Sequence, residues 1–186
     1  MRLFIAIELP SEIRNALMVF LNELRDTAPR AKWLHAGNLH VTLKFLGETD
    51  EAKLSAVRKA LSAIPDQEAV TLTFRGLGFF PDGKRPRVFW VGMEASGNLK
   101  GLAETIDQSM HRLGFPLETR PFTPHLTLAR FEPPGLPPSL GTAVKANLAR
   151  EFGSLAAQEF HLIESKLKRS GAEYTTIQSF PFVPGT

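Results

Sequence analysis

The chain has 186 residues, 43% of them hydrophobic and 22% charged, with a formal charge of +3 and a pI near 9.4. That is enough apolar material for one domain with a real core, and it excludes a disordered or fibrous protein; so small a positive charge suits small anionic substrates as well as polyanions. No cysteine is present, which excludes disulfides, thiolate zinc sites and cysteine nucleophiles.

The first residues, "MRLFIAIELPSE", hold an apolar run too short for a signal peptide and broken by Glu8 and Pro10, and no later run reaches a membrane span. A soluble cytoplasmic protein is expected. "RLFIAIE" has the β-branched and aromatic content of a strand. Helical spacing follows over residues 11 to 26, with Ile13, Ala16, Leu17, Phe20, Leu21 and Leu24 on one face and Ser11 as N-cap. "LHVTLKFL" alternates strictly, so period two puts Leu39, Val41, Leu43 and Phe45 on one face and His40, Thr42 and Lys44 on the other. Leu54, Val57, Leu61 and Ile64 mark a second helix, "AVTLTFRG" is a strand, and "GLGFFPDGKRPR" reads as a Gly/Pro-rich loop.

The order then recurs. "RVFWVG" from Arg87 resembles "RLFIAI" from Arg2, 85 positions earlier, and Leu99, Leu102, Ala103, Ile106 and Met110 repeat the helical stripe. "TPHLTLARF" repeats the first motif strand at the same interval: His125 and Thr127 stand 85 residues after His40 and Thr42. A helix around residues 139 to 150, the strand "EFHLIESKL" and a last strand "EYTTIQSF" complete the chain. The reading is an α+β fold, bilobal, with a duplicated unit related by a pseudo-two-fold axis, antiparallel sheets lining a central cleft and helices outside. It is one domain over residues 1 to 186, with repeats at about 2–80 and 87–170 and a closing strand at 173–182.

One His-x-Thr is a weak signal, since a strand histidine bonded to a neighbour explains it as well. Two in register within a duplication point to chemistry. Displacing a ribose oxygen from phosphorus needs a base for the incoming nucleophile and an acid for the departing alkoxide, and two imidazoles titrating near neutrality divide those jobs. The Thr42 and Thr127 hydroxyls can donate to non-bridging phosphate oxygens. No H-x-H, H-E-x-x-H, G-x-S-x-G or Walker sequence offers a metal, serine-triad or nucleotide-loop alternative.

The segments "RLFIAIELP", "NLHVTLKFLGE", "RPRVFWVG", "RPFTPHLTLAR" and "FHLIESKLKRSGAEYTTIQSF" resemble the two-histidine phosphoesterase superfamily, specifically its prokaryotic RNA 2′,3′-cyclic phosphodiesterases, long called 2′-5′ RNA ligases. The resemblance runs nearly end to end. It implies opening of a terminal 2′,3′-cyclic phosphate to a 2′-phosphomonoester without cofactor or metal, and in some members reversible 2′-5′ ligation. It makes His40 the proton donor to the 3′ oxygen and His125 the acceptor that activates water. The partners it implies are RNA ends or small cyclic nucleotides, tRNA-like substrates included; no membrane partner is expected, and the chain is expected to be a monomer. Arg130 resembles a family arginine placed to pair with phosphate, which requires a bulge or a strand end there, because its odd offset from His125 puts it on the opposite face of an ideal strand.

Around these, Lys44 shares the histidine face, and "GKRPR" (Lys84, Arg85, Arg87) is a basic loop suited to the cleft mouth. Phe131 is the preferred base-stacking candidate over Tyr174 and over Phe45, which reads as core. Trp33 and Trp90 also read as core, and His35, His111 and His161 as surface or packing residues. The rival readings are a phosphoesterase of another cyclic or 2′-5′-linked nucleotide and, from another class, an RNA-end binding module without turnover.

Overall fold

A computed structural model of the chain describes residues 1–169 and 171–183; Ser170, the last residue of the second repeat, and 184–186 lie outside the described residues. The elements in chain order are β1 (Arg2–Glu8), α1 (Ser11–Leu24), β2 (Lys32–Trp33), β3 (His40–Glu48), α2 (Glu51–Ser62), β4 (Val70–Phe80), β5 (Val88–Ala95), α3 (Asn98–His111), β6 (His125–Arg130), α4 (Pro138–Ala146), β7 (Glu151–Ala157), β8 (Glu159–Lys168) and β9 (Gly171–Pro181). They form two antiparallel sheets, ordered β3-β1-β8-β9 and β2-β6-β5-β4-β7. The α+β, two-lobed reading holds.

The sheets do not follow the halves of the sequence. β4 crosses to pair with β5, and β8 returns to pair with β1, so each lobe takes its third strand from the other half of the chain. The repeats at 2–80 and 87–170 are therefore not two separate lobes in space. Register also corrects the spacing of the first strands: Glu8 lies opposite His40 and Gly92 opposite His125, so β1 and β5 correspond at an interval of 84, one less than the motif strands.

Helix α1 forms where the 3.6-residue stripe was read and buries Ile13, Leu17, Phe20, Leu21 and Leu24; Pro10 occupies its N-cap, and Ser11 is its first helical residue. One continuous core runs beneath both sheets, and each fully buried Phe or Leu in it contributes on the order of 1.5–3 kcal/mol. The stretch "GLGFF" is strand, not loop: β4 continues to Phe80, with Gly76 at φ +78° where the β4–β5 register shifts. Gly78 has a different reason for lacking a side chain, because a Cβ there would lie 2.1 Å from Trp90 Cζ2. Strand β7 has no counterpart in the sequence reading.

Candidate active site

The two His-x-Thr strands approach each other where the sheets meet, and each histidine opens its strand. The local geometry is the same in both. His40 Nδ1 lies 3.1 Å from the Asn38 carbonyl oxygen, and His125 Nδ1 lies 2.8 Å from that of Thr123. A carbonyl only accepts, so Nδ1 carries the proton in both rings and Nε2 is left as the acceptor nitrogen of the neutral imidazole. Each ring stands edge-on to aromatics: His40 to Phe4 at 5.7 Å and Tyr174 at 5.1 Å, His125 to Phe80 at 5.1 Å.

After each threonine the strand carries one extra residue. Ala6 faces Thr42 while Ile5 faces Lys44, leaving Leu43 over; Trp90 faces Thr127 while Phe89 faces Ala129, leaving Leu128 over. These bulges, 85 positions apart, reverse the inside-outside alternation beyond them. Arg130 thereby comes to the face of His125 and Thr127, opposite Val88, and is exposed.

The same bulges overturn other placements. Lys44 does not share the His40 face. It turns inward, where its Nζ donates to the Pro116 carbonyl at 2.8 Å and pairs with Asp107 at 2.6 Å, its side chain 1% exposed. Phe131 is buried against Phe79 and is no stacking surface. Phe45, read as core, is 64% exposed and lies beside Phe4 on the cleft face. Trp90 also lies on the cleft face, its indole laid over Gly78 and beside Phe80; Trp33 is partly buried against the core, its Nε1 donating to the Ala28 carbonyl.

Arg85 lies exposed in the turn between β4 and β5, where Asp82 Oδ1 accepts from the backbone N–H groups of Lys84 and Arg85. Tyr174 packs on His40. His35 and His111 are exposed, whereas His161 is buried, its Nδ1 3.1 Å from Ser179 Oγ.

The sequence reading missed the wall around His40. Glu8, opposite His40 on β1, accepts a hydrogen bond from Thr176 Oγ1 at 2.8 Å, and Arg14 reaches the same place from α1. With Gly37, Asn38, Tyr174 and neighbours from β9 they enclose a cavity of about 450 Å³ to which no β6 residue contributes. The Asn38 amide donates to the Ala172 carbonyl at 3.0 Å and so ties the β8–β9 hairpin to the loop that holds His40. Burial foremost holds the His40 pKa below 6.5; the Asn38 carbonyl opposes this, the Arg14 charge adds to it, Glu8 opposes it and His161 adds to it. The only available signal for this wall was the adjacency of "IELP" and "SEIR" to a motif strand, since side chains from α1, β1 and β9 meet only through the sheet order.

Together these features define a two-lobed phosphoesterase fold with one His-x-Thr strand in each half. The family model described as LigT like Phosphoesterase matches residues 7–90 and again 91–174. An RNA 2′,3′-cyclic phosphodiesterase of Archaeoglobus fulgidus is 33% identical over 180 residues, 97% of this chain and 99% of that protein. One of Thermus thermophilus is 34% identical, over 97% of this chain and 89% of its own. The crystal structure of a Thermus thermophilus protein superposes with a TM-score of 0.81 at 31% identity, over 98% of each chain. Escherichia coli LigT complexed with 3′-AMP does so with a TM-score of 0.76 at 30% identity, over 97% of each. The chain belongs to the LigT-like phosphoesterase family.

Proposed function

We propose that the protein opens RNA ends bearing a 2′,3′-cyclic phosphate, leaving a 2′-phosphomonoester, by histidine acid/base catalysis without a metal. The observation that supports this reading is the pair of Nδ1-to-carbonyl hydrogen bonds, which gives both motif histidines the same tautomer and leaves Nε2 of each as the nitrogen able to exchange a proton with a substrate. Names of relatives agree, and E. coli LigT is known in complex with 3′-AMP and with phosphate.

In this mechanism His125 Nε2 takes a proton from water as the water oxygen bonds to phosphorus. The P–O3′ bond breaks, and the departing oxygen receives the proton carried by His40 Nε2, giving a 3′-hydroxyl and a 2′-phosphate. Thr42 and Thr127 donate to the non-bridging oxygens, and Arg130 offers its planar fork to the same charge. Burial favours the neutral form of His40 in the free protein; a phosphodiester anion beside Nε2 favours the imidazolium, so substrate binding itself loads the acid. With an RNA 5′-hydroxyl in place of water as the nucleophile, the same forward steps form a 2′-5′ linkage and release the 3′-hydroxyl, and their reversal cleaves it.

The test is product analysis. An oligonucleotide with a cyclic end, incubated with EDTA present, should yield the 2′-phosphate alone. A 3′-phosphate product, loss of turnover with EDTA, or tight binding without hydrolysis would each overturn the reading.

A further inference from the structure

The cavity beside His40 extends away from β6: besides His40, its walls include Glu8, Arg14, Asn38, Glu173, Tyr174 and Thr176. Its volume of about 450 Å³ is that of a small-ligand site, and His40 forms part of its wall, so whatever fills it is contiguous with the reacting group. Arg14 is the cation in that wall, and its guanidinium is underused. Nε is buried with no hydrogen-bond partner among the described residues, and Nη2 stands 3.9 Å from Glu8 Oε2, beyond hydrogen-bond length. Glu8 is already engaged by Thr176 through its other oxygen. A half-buried arginine in a cavity wall, with a buried Nε–H left unpaired among the described residues, calls for a ligand, and a planar fork of donors fits a phosphate.

We propose that this cavity receives the RNA backbone next to the reacting end, with Arg14 pairing with the phosphodiester on the 5′ side of the terminal ribose. The inference rests on the cyclic phosphodiesterase reading and names the second phosphate its substrate presents. Arg14 then distinguishes an RNA end from a lone nucleoside cyclic phosphate, which has no such group. Because the contact is to backbone, it selects for chain and not for sequence. A phosphate seated there also cancels the Arg14 charge that disfavours protonation of His40.

The experiment compares wild type, Arg14→Gln and Arg14→Lys on adenosine 2′,3′-cyclic phosphate and on the dinucleotide ApA ending in a 2′,3′-cyclic phosphate. In Arg14→Gln the ratio of kcat/KM for dinucleotide over mononucleoside should fall about 10- to 100-fold, the worth of a charged hydrogen bond, and Arg14→Lys should recover part of it. The plot of log kcat/KM against log salt for the dinucleotide should flatten by about 0.7, one single-strand phosphate contact. A parallel fall on both substrates, or an unchanged ratio, overturns the proposal. Should wild type open neither substrate, the cyclic phosphodiesterase reading fails by itself, and calorimetric binding of ApA carrying a 2′-phosphate decides the subsite: affinity at least tenfold weaker in Arg14→Gln supports it, and equal affinity overturns it.

Discussion

Around His40 the cleft is walled in by Phe4, Tyr174, Glu8 and Arg14, whereas around His125 the ring meets Phe80 on one side and its bond to the Thr123 carbonyl is open to solvent. The backbone plan is shared down to the bulge after each threonine; what differs is what the other strands bring. The walled half suits a group that must meet the substrate's body and give up a proton to it. The open half suits a group that must meet water. The fold's duplication thus supplies two like imidazoles, and in the proposed mechanism their unlike surroundings divide the roles of acid and base between them.

The comparison breaks most severely if either histidine proves dispensable. His40→Ala and His125→Ala should each lower kcat about 10²- to 10⁴-fold with the circular dichroism spectrum and Tm retained, and the double variant should be little worse than the singles, because both act on one step. A phosphodiester with a p-nitrophenolate leaving group sharpens it, since such a group departs without an acid. His40→Ala should regain most of its rate on that substrate and His125→Ala should not; equal recovery would erase the assigned roles.

Next in size is the effect at Lys44. The corresponding position in the second motif is Ala129, 85 residues on and fully buried. Lys44 instead carries an ion pair with Asp107 on α3 and a bond to Pro116, on the segment leading to His125. Removing one partner of a buried pair costs about 3–5 kcal/mol, so Lys44→Ala should lower the urea midpoint sharply. Lys44→Met with Asp107→Leu should recover most of it, and a single variant as stable as wild type would mean the pair contributes nothing.

Lys44 also marks the limit of what the sequence makes legible. The two motif strands, the helices α1 and α3 and the echo at 85 positions all follow from periodicity, which local sterics enforce. A bulge adds one residue without changing composition, so strict alternation misassigned Lys44, Phe45 and Phe131. The copies themselves hold a clue: positions 45 and 130 are Phe and Arg, and no arginine stands for a core residue. Strand β7 and the crossing of β4 and β8 left no local trace, because sheet order is set by long-range pairing. The wall around His40 is likewise assembled from segments far apart in the chain.

A smaller effect is expected at the threonines. Thr42→Val and Thr127→Val keep shape and strand propensity while removing one donor to a charged oxygen, so each should reduce kcat about 10- to 100-fold with KM nearly unchanged. If the halves serve one phosphorus, the two losses should be similar despite the unlike surroundings. A tenfold disparity would mean the phosphate sits closer to one lobe.

The smallest effect, and the finest probe of the difference between the halves, is the protonation of His40. Its pKa is lowered chiefly by burial, so the folded protein favours the neutral ring and the unfolded chain takes up the proton more readily below pH 6.5. The stability this contributes is therefore present above pH 6.5 and declines as pH falls through the lower folded value. In a proton NMR titration the His40 Cε1–H signal should have its midpoint below 6.5, and it should move upward when inorganic phosphate is added, because an anion at Nε2 opposes desolvation. Arg14→Gln should raise the midpoint without phosphate, by removing a positive neighbour. A His40 midpoint at or above 6.5 in the free protein would mean the wall does not dry the ring, and the contrast between a closed acid and an open base would lose its physical cause.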